Sequence, residues 1–156
     1  MDNLVIVFDI DGTLANVEHR RQFVASKPKN WAAWNAAMDR DTVHSDVKFI
    51  WDAFTFLNVN HPKYEDKIIR LFCSGRGEEH RDVTENWLKG LDIYYDKLYM
   101  RKERDNRKDS IVKVELLHQI REEYGNPFLW FDDRQQVVDA IRAQGVRVLQ
   151  VSEGNF

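Results

Sequence analysis

Val5-Ile6-Val7-Phe8-Asp9-Ile10-Asp11-Gly12-Thr13-Leu14 runs four apolar residues into two aspartates spaced i and i+2, closed by a Gly-Thr turn. The β-branched residues and the phenylalanine suit a strand buried on both faces. A buried aspartate is costly unless it is paired or metal-bound. Two carboxylates at the tip of such a strand therefore call for a divalent cation and for chemistry at the carboxyl end of a parallel sheet, where open α/β folds seat their ligands.

The rest of the chain supports such a sheet. Candidate strands at 4–8, 67–73, 97–100, 128–131 and 146–151 alternate with helices near 47–57, 79–88, 109–122 and 135–143. This rhythm predicts an α/β, Rossmann-like parallel sheet of about five strands with helices on both faces. The rhythm breaks at about 16–45, a stretch with Trp31, Trp34 and a Lys-Pro-Lys turn at 27–29. It reads as a small helical cap insert, a lid or rim too short to be a domain of its own. Trp31 and Trp34, at i and i+3, read first as packing residues and second as a base-stacking platform. The whole chain, 1–156, is expected to form one domain.

Composition narrows the class. The chain has 156 residues, 43% hydrophobic and 31% charged, which is ordinary for a globular protein. A net charge of −3 argues against a protein that simply coats nucleic acid. No apolar run approaches the ~18 residues of a membrane span, and the acidic start lacks the pattern of a signal peptide. One cysteine, Cys73, precludes an internal disulfide and fits a reducing cytoplasm. The spacing from Cys73 to Arg76 or Arg81 does not fit a thiolate phosphatase loop, so Cys73 reads as a strand residue.

Three further stretches carry chemistry. A second strand ends in Ser74-Gly75-Arg76: a hydroxyl, an unhindered amide and a planar fork for phosphate oxygens. Asp109-Ser110-Ile111-Val112-Lys113 opens a helix, with Asp109 a candidate N-cap. Phe128-Leu129-Trp130-Phe131-Asp132-Asp133-Arg134 is a third apolar strand ending in acids. No Cys/His cluster has zinc spacing, which leaves the carboxylates as the candidate ligands of a divalent cation.

In this order the motifs resemble those of the haloacid dehalogenase (HAD) superfamily of phosphotransferases. The resemblance implies that Asp9 attacks phosphorus and that Asp11 handles the proton on the leaving oxygen. It implies that Thr13, Ser74, Gly75, Arg76 and Asp109 surround the phosphoryl group, and that Lys113, or else Lys108, neutralises it. Asp9, Asp11 (through its main-chain carbonyl), Asp132 and Asp133 would complete the Mg²⁺ site, with the direct ligand among the last two left open.

Within the superfamily the chain is most similar to the 3′-phosphatase domain of phage polynucleotide kinase–phosphatases. Arg20, the Arg107-Lys108-Asp109-x-x-x-Lys113 stretch, the Asp132-Asp133-Arg134-x-Gln136-Val137-Val138 stretch and the ending Leu149–Phe156 carry that likeness. Arg20 and Arg76 would then grip the terminal phosphate. No Gly-x4-Gly-Lys-Ser/Thr loop is present, so a stand-alone phosphatase is expected, with a separate kinase or ligase as a possible partner.

From Lys97 to Lys113, seven Lys/Arg face three acids, a surplus of four that could guide a phosphodiester backbone or a mononucleotide. The resulting expectation is a phosphomonoesterase acting through an aspartyl-phosphate on 3′-phosphorylated polynucleotide ends. The alternative is a nucleoside 5′-monophosphate or other small-molecule phosphatase. An inactive binding protein of the same fold is the distant third.

Overall fold

The computed structural model describes residues 2–154. Its strands are β1 (Leu4–Phe8), β2 (Ala15–Asn16), β3 (Thr42–Val43), β4 (Ile68–Gly77), β5 (Lys97–Arg101), β6 (Leu129–Arg134) and β7 (Val148–Gly154). Its α-helices are α1 (Trp31–Ala36), α2 (Ser45–Asn60), α3 (Arg81–Gly90), α4 (Asp109–Tyr124) and α5 (Gln135–Ala143). Five strands form one sheet in the order β5-β4-β1-β6-β7, and every pairing in it is parallel. The first strand in sequence therefore lies at the centre of the sheet, and the order reverses around it. That is where a doubly wound fold opens its ligand crevice.

Strand periodicity divides β1 between two cores. Ile6 and Phe8 face one layer, with Trp51, Phe72, Leu88 and Phe131. Val5 and Val7 face the other, with Leu116, Leu117, Trp130 and Ile141. Both layers exclude water from β1, which is why this strand reads as a continuous apolar run. On α4 the buried residues Val112, Lys113, Leu116, Leu117 and Ile120 form one stripe, so a lysine occupies a core position. Cys73 is buried in the second layer, and burial pushes its thiol well above the ordinary range.

The insert is more than the one or two short helices its composition suggests. It holds 3-10 turns at Glu18–Phe23 and Met38–Arg40 beside α1, and its base is closed by the antiparallel pair β2–β3. Such a two-residue pair carries no alternation from which it could be predicted. Four strands also run past their expected ends, β4 to Gly77, β5 to Arg101, β6 to Arg134 and β7 to Gly154. In each case the extension carries polar or glycine residues on which hydrophobic periodicity is silent. Residues 155 and 156 of the closing stretch lie outside the described residues. Among the described residues, no helix is long and apolar enough to cross a membrane.

Candidate active site

The tip of β1 is locked to its neighbour by the Asp9 amide, which donates to the Phe131 carbonyl at 2.9 Å. The chain then turns sharply. The Thr13 and Ala15 amides both donate to the Ile10 carbonyl, and Gly12 adopts a φ of +83°. A Cβ at Gly12 would collide with the Asp133 carboxylate, so both the backbone conformation and the close approach require glycine.

This turn brings Asp9 against two acids from β6. Asp9, Asp132 and Asp133 are buried, and each offers an oxygen within 4.8 Å of the others. Lys113 reaches them from α4, donating to Asp9 Oδ1 at 2.7 Å and to Asp132 Oδ2 at 2.9 Å. The Thr13 hydroxyl donates to Asp9 Oδ2 at 3.0 Å. Asp132 also accepts from Trp130 Nε1 and from the Arg134 amide. Three carboxylates thus face one ammonium. Burial and the Asp132 carboxylate raise the Asp9 pKa well above the usual range, against the opposing pull of Lys113. Burial followed by Asp132 likewise raises Asp133. The surrounding carboxylates, with Asp132 foremost, hold Lys113 well above its ordinary value although burial acts in the other direction.

Asp11 stands in a different environment. Its Oδ1 accepts from Arg20 Nη2 at 2.7 Å, from Arg76 Nη2 at 2.7 Å and from Arg76 Nε at 3.0 Å. Behind it, buried Asp41 accepts from both arginines and from His19. Burial alone would raise Asp11, but Arg76 and Arg20 outweigh it and hold the carboxyl below its usual range. Asp41 belongs to the insert, and Trp87 Nε1 on α3 donates to its carbonyl at 2.8 Å. The insert is therefore an anchored rim at this point rather than a hinged lid.

A cavity of about 500 Å³, within the usual range for ligand sites, opens over these groups. Asp9, Asp11, Lys113 and Asp133 form its floor, and the insert and the 101–107 loop form its walls.

Residues 3–156 match the family described as the polynucleotide kinase PNKP phosphatase domain. The chain belongs to that family. It is a phosphoric monoester hydrolase of the HAD superfamily. The protein is also similar to a chain of a Pnkp1/Rnl/Hen1 complex, at 30% identity and a TM-score of 0.77 over 99% of this chain and 48% of that one. A chain of a Pnkp1/Rnl/Hen1 RNA repair complex matches at 28% identity and a TM-score of 0.79, over 99% and 44%. The chain thus spans about half the length of these two. A hydrolase from Streptococcus pneumoniae TIGR4 shares the fold, at 14% identity and a TM-score of 0.63 over 98% and 95%.

With this PNKP-family domain in view, the expected site residues fall into three groups. Asp9, Asp11, Lys113 and Asp133 meet at the cavity floor, with Asp132 just behind, hydrogen-bonded to Lys113. Gly75 and Arg76 line the wall beside them, and a Cβ at Gly75 would strike the Asp109 carboxylate. Ser74 is buried, its Oγ accepting from the Arg76 amide at 3.1 Å, which leaves its proton free to donate. Between the two candidate lysines the structure brings Lys113 to the carboxylates, whereas Lys108 is the exposed N-cap of α4.

Three placements differ from the phosphate contacts expected from sequence. Thr13 donates its hydroxyl proton to Asp9, with Asp133 Oδ1 3.4 Å away, and so orients carboxylates at the floor. Asp109 accepts from Arg101 at 3.1 Å and lies 3.7 Å from Lys113 and from Arg134. It is the first residue of α4 and caps nothing, being already committed to those cations. Arg20 is fully buried beneath Trp34 and does not line the cavity, because its guanidinium is held by Asp11 and Asp41.

Two residues escaped the sequence reading. Asp41 sits outside every motif, and only the two buried arginines reveal it. Arg101 donates to the carbonyls of Gly75, Asp105 and Arg107 as well as to Asp109, and so shapes the wall loop. It was visible only as one cation among several.

A metal fits this floor. Three buried carboxylates share one ammonium, an excess of acid that a divalent cation would offset. Asp133 Oδ2 is buried without a hydrogen-bond partner, an oxygen that a bound cation would satisfy. Asp132 by contrast has both oxygens engaged, so Asp133 is the acid with a free coordination site.

Proposed function

We propose that this domain removes the 3′-phosphate from polynucleotide ends, using Mg²⁺ and an aspartyl-phosphate on Asp9. The observation that carries the reading is the separation of two neighbouring aspartates into opposite electrostatic settings at the floor of one cavity. Asp9 joins the acids and Lys113, and Asp11 joins the arginines.

Asp9, Asp133 and the Asp11 carbonyl would hold Mg²⁺, which when bound offsets the negative charge of Asp9 and the phosphoryl oxygens. Asp9 ionised at its Lys113-held carboxylate attacks phosphorus, forming the Asp9–phosphorus bond as the bond to the leaving 3′-oxygen breaks. Asp11, held ionised by the two arginines, first takes the proton of the substrate's phosphate monoanion and passes it to that oxygen, then takes a proton from the water that attacks phosphorus, which releases phosphate and restores Asp9. Lys113, the Gly75 amide and the Ser74 hydroxyl stabilise charge on the equatorial oxygens. Arg20 and Arg76 fix the carboxyl of Asp11 through its Oδ1.

Polynucleotide as the substrate rests on the family and on the cationic wall. The free cations at the cavity are fewer than the sequence surplus suggests. Arg107 pairs with Asp105 and Glu115, and Lys102 lies 3.4 Å from Glu115. Arg104 is exposed with no acidic partner among the described residues. The matched chains extend to roughly twice this length, and one comes from an RNA repair complex. That supports a division of labour in which a kinase or ligase activity acts beside this domain.

The test is a Mg²⁺-dependent panel of 3′-phosphorylated and 5′-phosphorylated oligonucleotides and nucleoside monophosphates. Preferential release of phosphate from 3′-phosphorylated ends is expected. A clear preference for mononucleotides would replace this reading with that of a small-molecule phosphatase.

A further inference from the structure

The two tryptophans of the insert have separate fates. Trp34 is buried, with the Arg20 guanidinium 4.2 Å from its ring centroid. Trp31, the first residue of α1, is 50% exposed and lines the same cavity as Asp9 and Asp11. Its ring stands edge-on to Trp34, with centroids 6.2 Å apart and planes at 83°. The helix start beneath it is fixed by Asn30, whose Oδ1 accepts from the Ala33 amide at 3.0 Å. Trp31 is thus oriented by its neighbours while half of it faces the site. Lys29 lies 5.4 Å from the Trp31 centroid and has no acidic partner among the described residues. Arg104, also without one, lines the same cavity from the 101–107 loop.

An exposed aromatic ring in a cavity that unpaired cations also line is the arrangement by which proteins hold single-stranded nucleic acid. Every base has a π-face, so such a ring takes bases without reading their identity. We infer that Trp31 is the platform on which the terminal base of the substrate stacks, with Lys29 and Arg104 receiving the flanking phosphodiester. This rests on the proposed polynucleotide reading and adds a specific demand: the nucleotide that carries the phosphate must have a base.

The test compares kcat/KM for two 3′-phosphorylated single-stranded oligonucleotides. One ends in an ordinary nucleotide and the other in a 1′,2′-dideoxyribose lacking the base. Because the two values are divided within one enzyme, changes in folding or in general activity cancel. A stacking contact predicts a wild-type ratio between roughly 5 and roughly 150. Trp31→Phe should keep most of that ratio, and Trp31→Leu, which keeps apolar bulk without a ring, should bring it near one. A ratio unchanged in Trp31→Leu would overturn the platform. Should the wild type prefer nucleoside monophosphates to both oligonucleotides, the polynucleotide reading fails by itself. The same ratio, taken between a nucleoside monophosphate and ribose phosphate, then decides Trp31 independently: its loss in Trp31→Leu sustains the platform and its persistence removes it.

Discussion

Two clusters of buried charge lie side by side at the end of β1, and they are built to opposite rules. Around Asp11, two carboxylates meet two guanidiniums, so Asp11, Asp41, Arg20 and Arg76 form a closed and neutral set. Around Asp9, three carboxylates meet one ammonium, and one oxygen of Asp133 has no partner at all. The first cluster is complete within the protein. The second is completed only by something that arrives. A charge set that does not close marks where the ligand goes, whereas a closed set marks where a catalytic group is held still.

The largest test of this division falls on Asp9. Asp9→Asn should lower turnover by at least about a thousand-fold, as expected for a removed nucleophile, while circular dichroism and gel filtration show an intact fold. Retention of normal turnover would break the assignment of the open cluster to chemistry.

The next effect belongs to the closed cluster. Asp41→Asn leaves two buried guanidiniums facing one carboxylate, and should destabilise the fold by about 3–5 kcal/mol, read from denaturant unfolding. A loss below about 1 kcal/mol, the worth of an exposed ion pair, would show that this set is not closed as described.

The open cluster should respond with the opposite sign. Without metal, Asp133→Asn removes an unbalanced charge and should leave the melting temperature unchanged or raised. In the wild type, Mg²⁺ at about 100 times its Kd should add about 2.7 kcal/mol of stability, and Asp133→Asn should lose most of that gain. A drop in metal-free stability for Asp133→Asn, as large as that for Asp41→Asn, would erase the distinction between the clusters.

The same rule extends to the surface at smaller scale. Arg107 is paired with Asp105 and Glu115, and Arg104 is open. Arg104→Gln should therefore reduce the salt slope of oligonucleotide binding by about one, measured as log Kd against log salt concentration. Arg107→Gln should change it less.

These clusters also show what a sequence can display. Asp9, Asp11, Asp132 and Asp133 were legible because strands buried on both faces give long apolar runs, and acids that end such runs stand out. Lys113 was legible from its place in the motif order, and its position on the apolar stripe of α4 carries the same information in physical form. Ser74 and Gly75 followed from the end of β4. Asp41 was not legible, because its importance lies in contacts with residues 21 and 35 positions away and in no local pattern. The wall charge was overcounted for a similar reason: the pairing of Arg107 with Glu115 spans a turn into α4 that composition cannot reveal. Arg20 was singled out by a likeness of motifs, which does not say which way a side chain faces, and its guanidinium meets Asp11 and Asp41.

The β2–β3 pair and the residues just before β3 have a consequence for redesign. Root and tip of the insert are under different constraints. The root carries Asp41 and is stitched to the turn after β1 by the His44 amide donating to the Leu14 carbonyl, so any graft that removes it also unmakes the setting of Asp11. The tip, from Val24 to Ala33, meets the cavity at Val24, Lys29 and Trp31 and leaves Trp34, which covers Arg20, in place. Exchanging the tip alone is thus the route by which this scaffold could acquire a new leaving group while keeping the proton transfer proposed for Asp11.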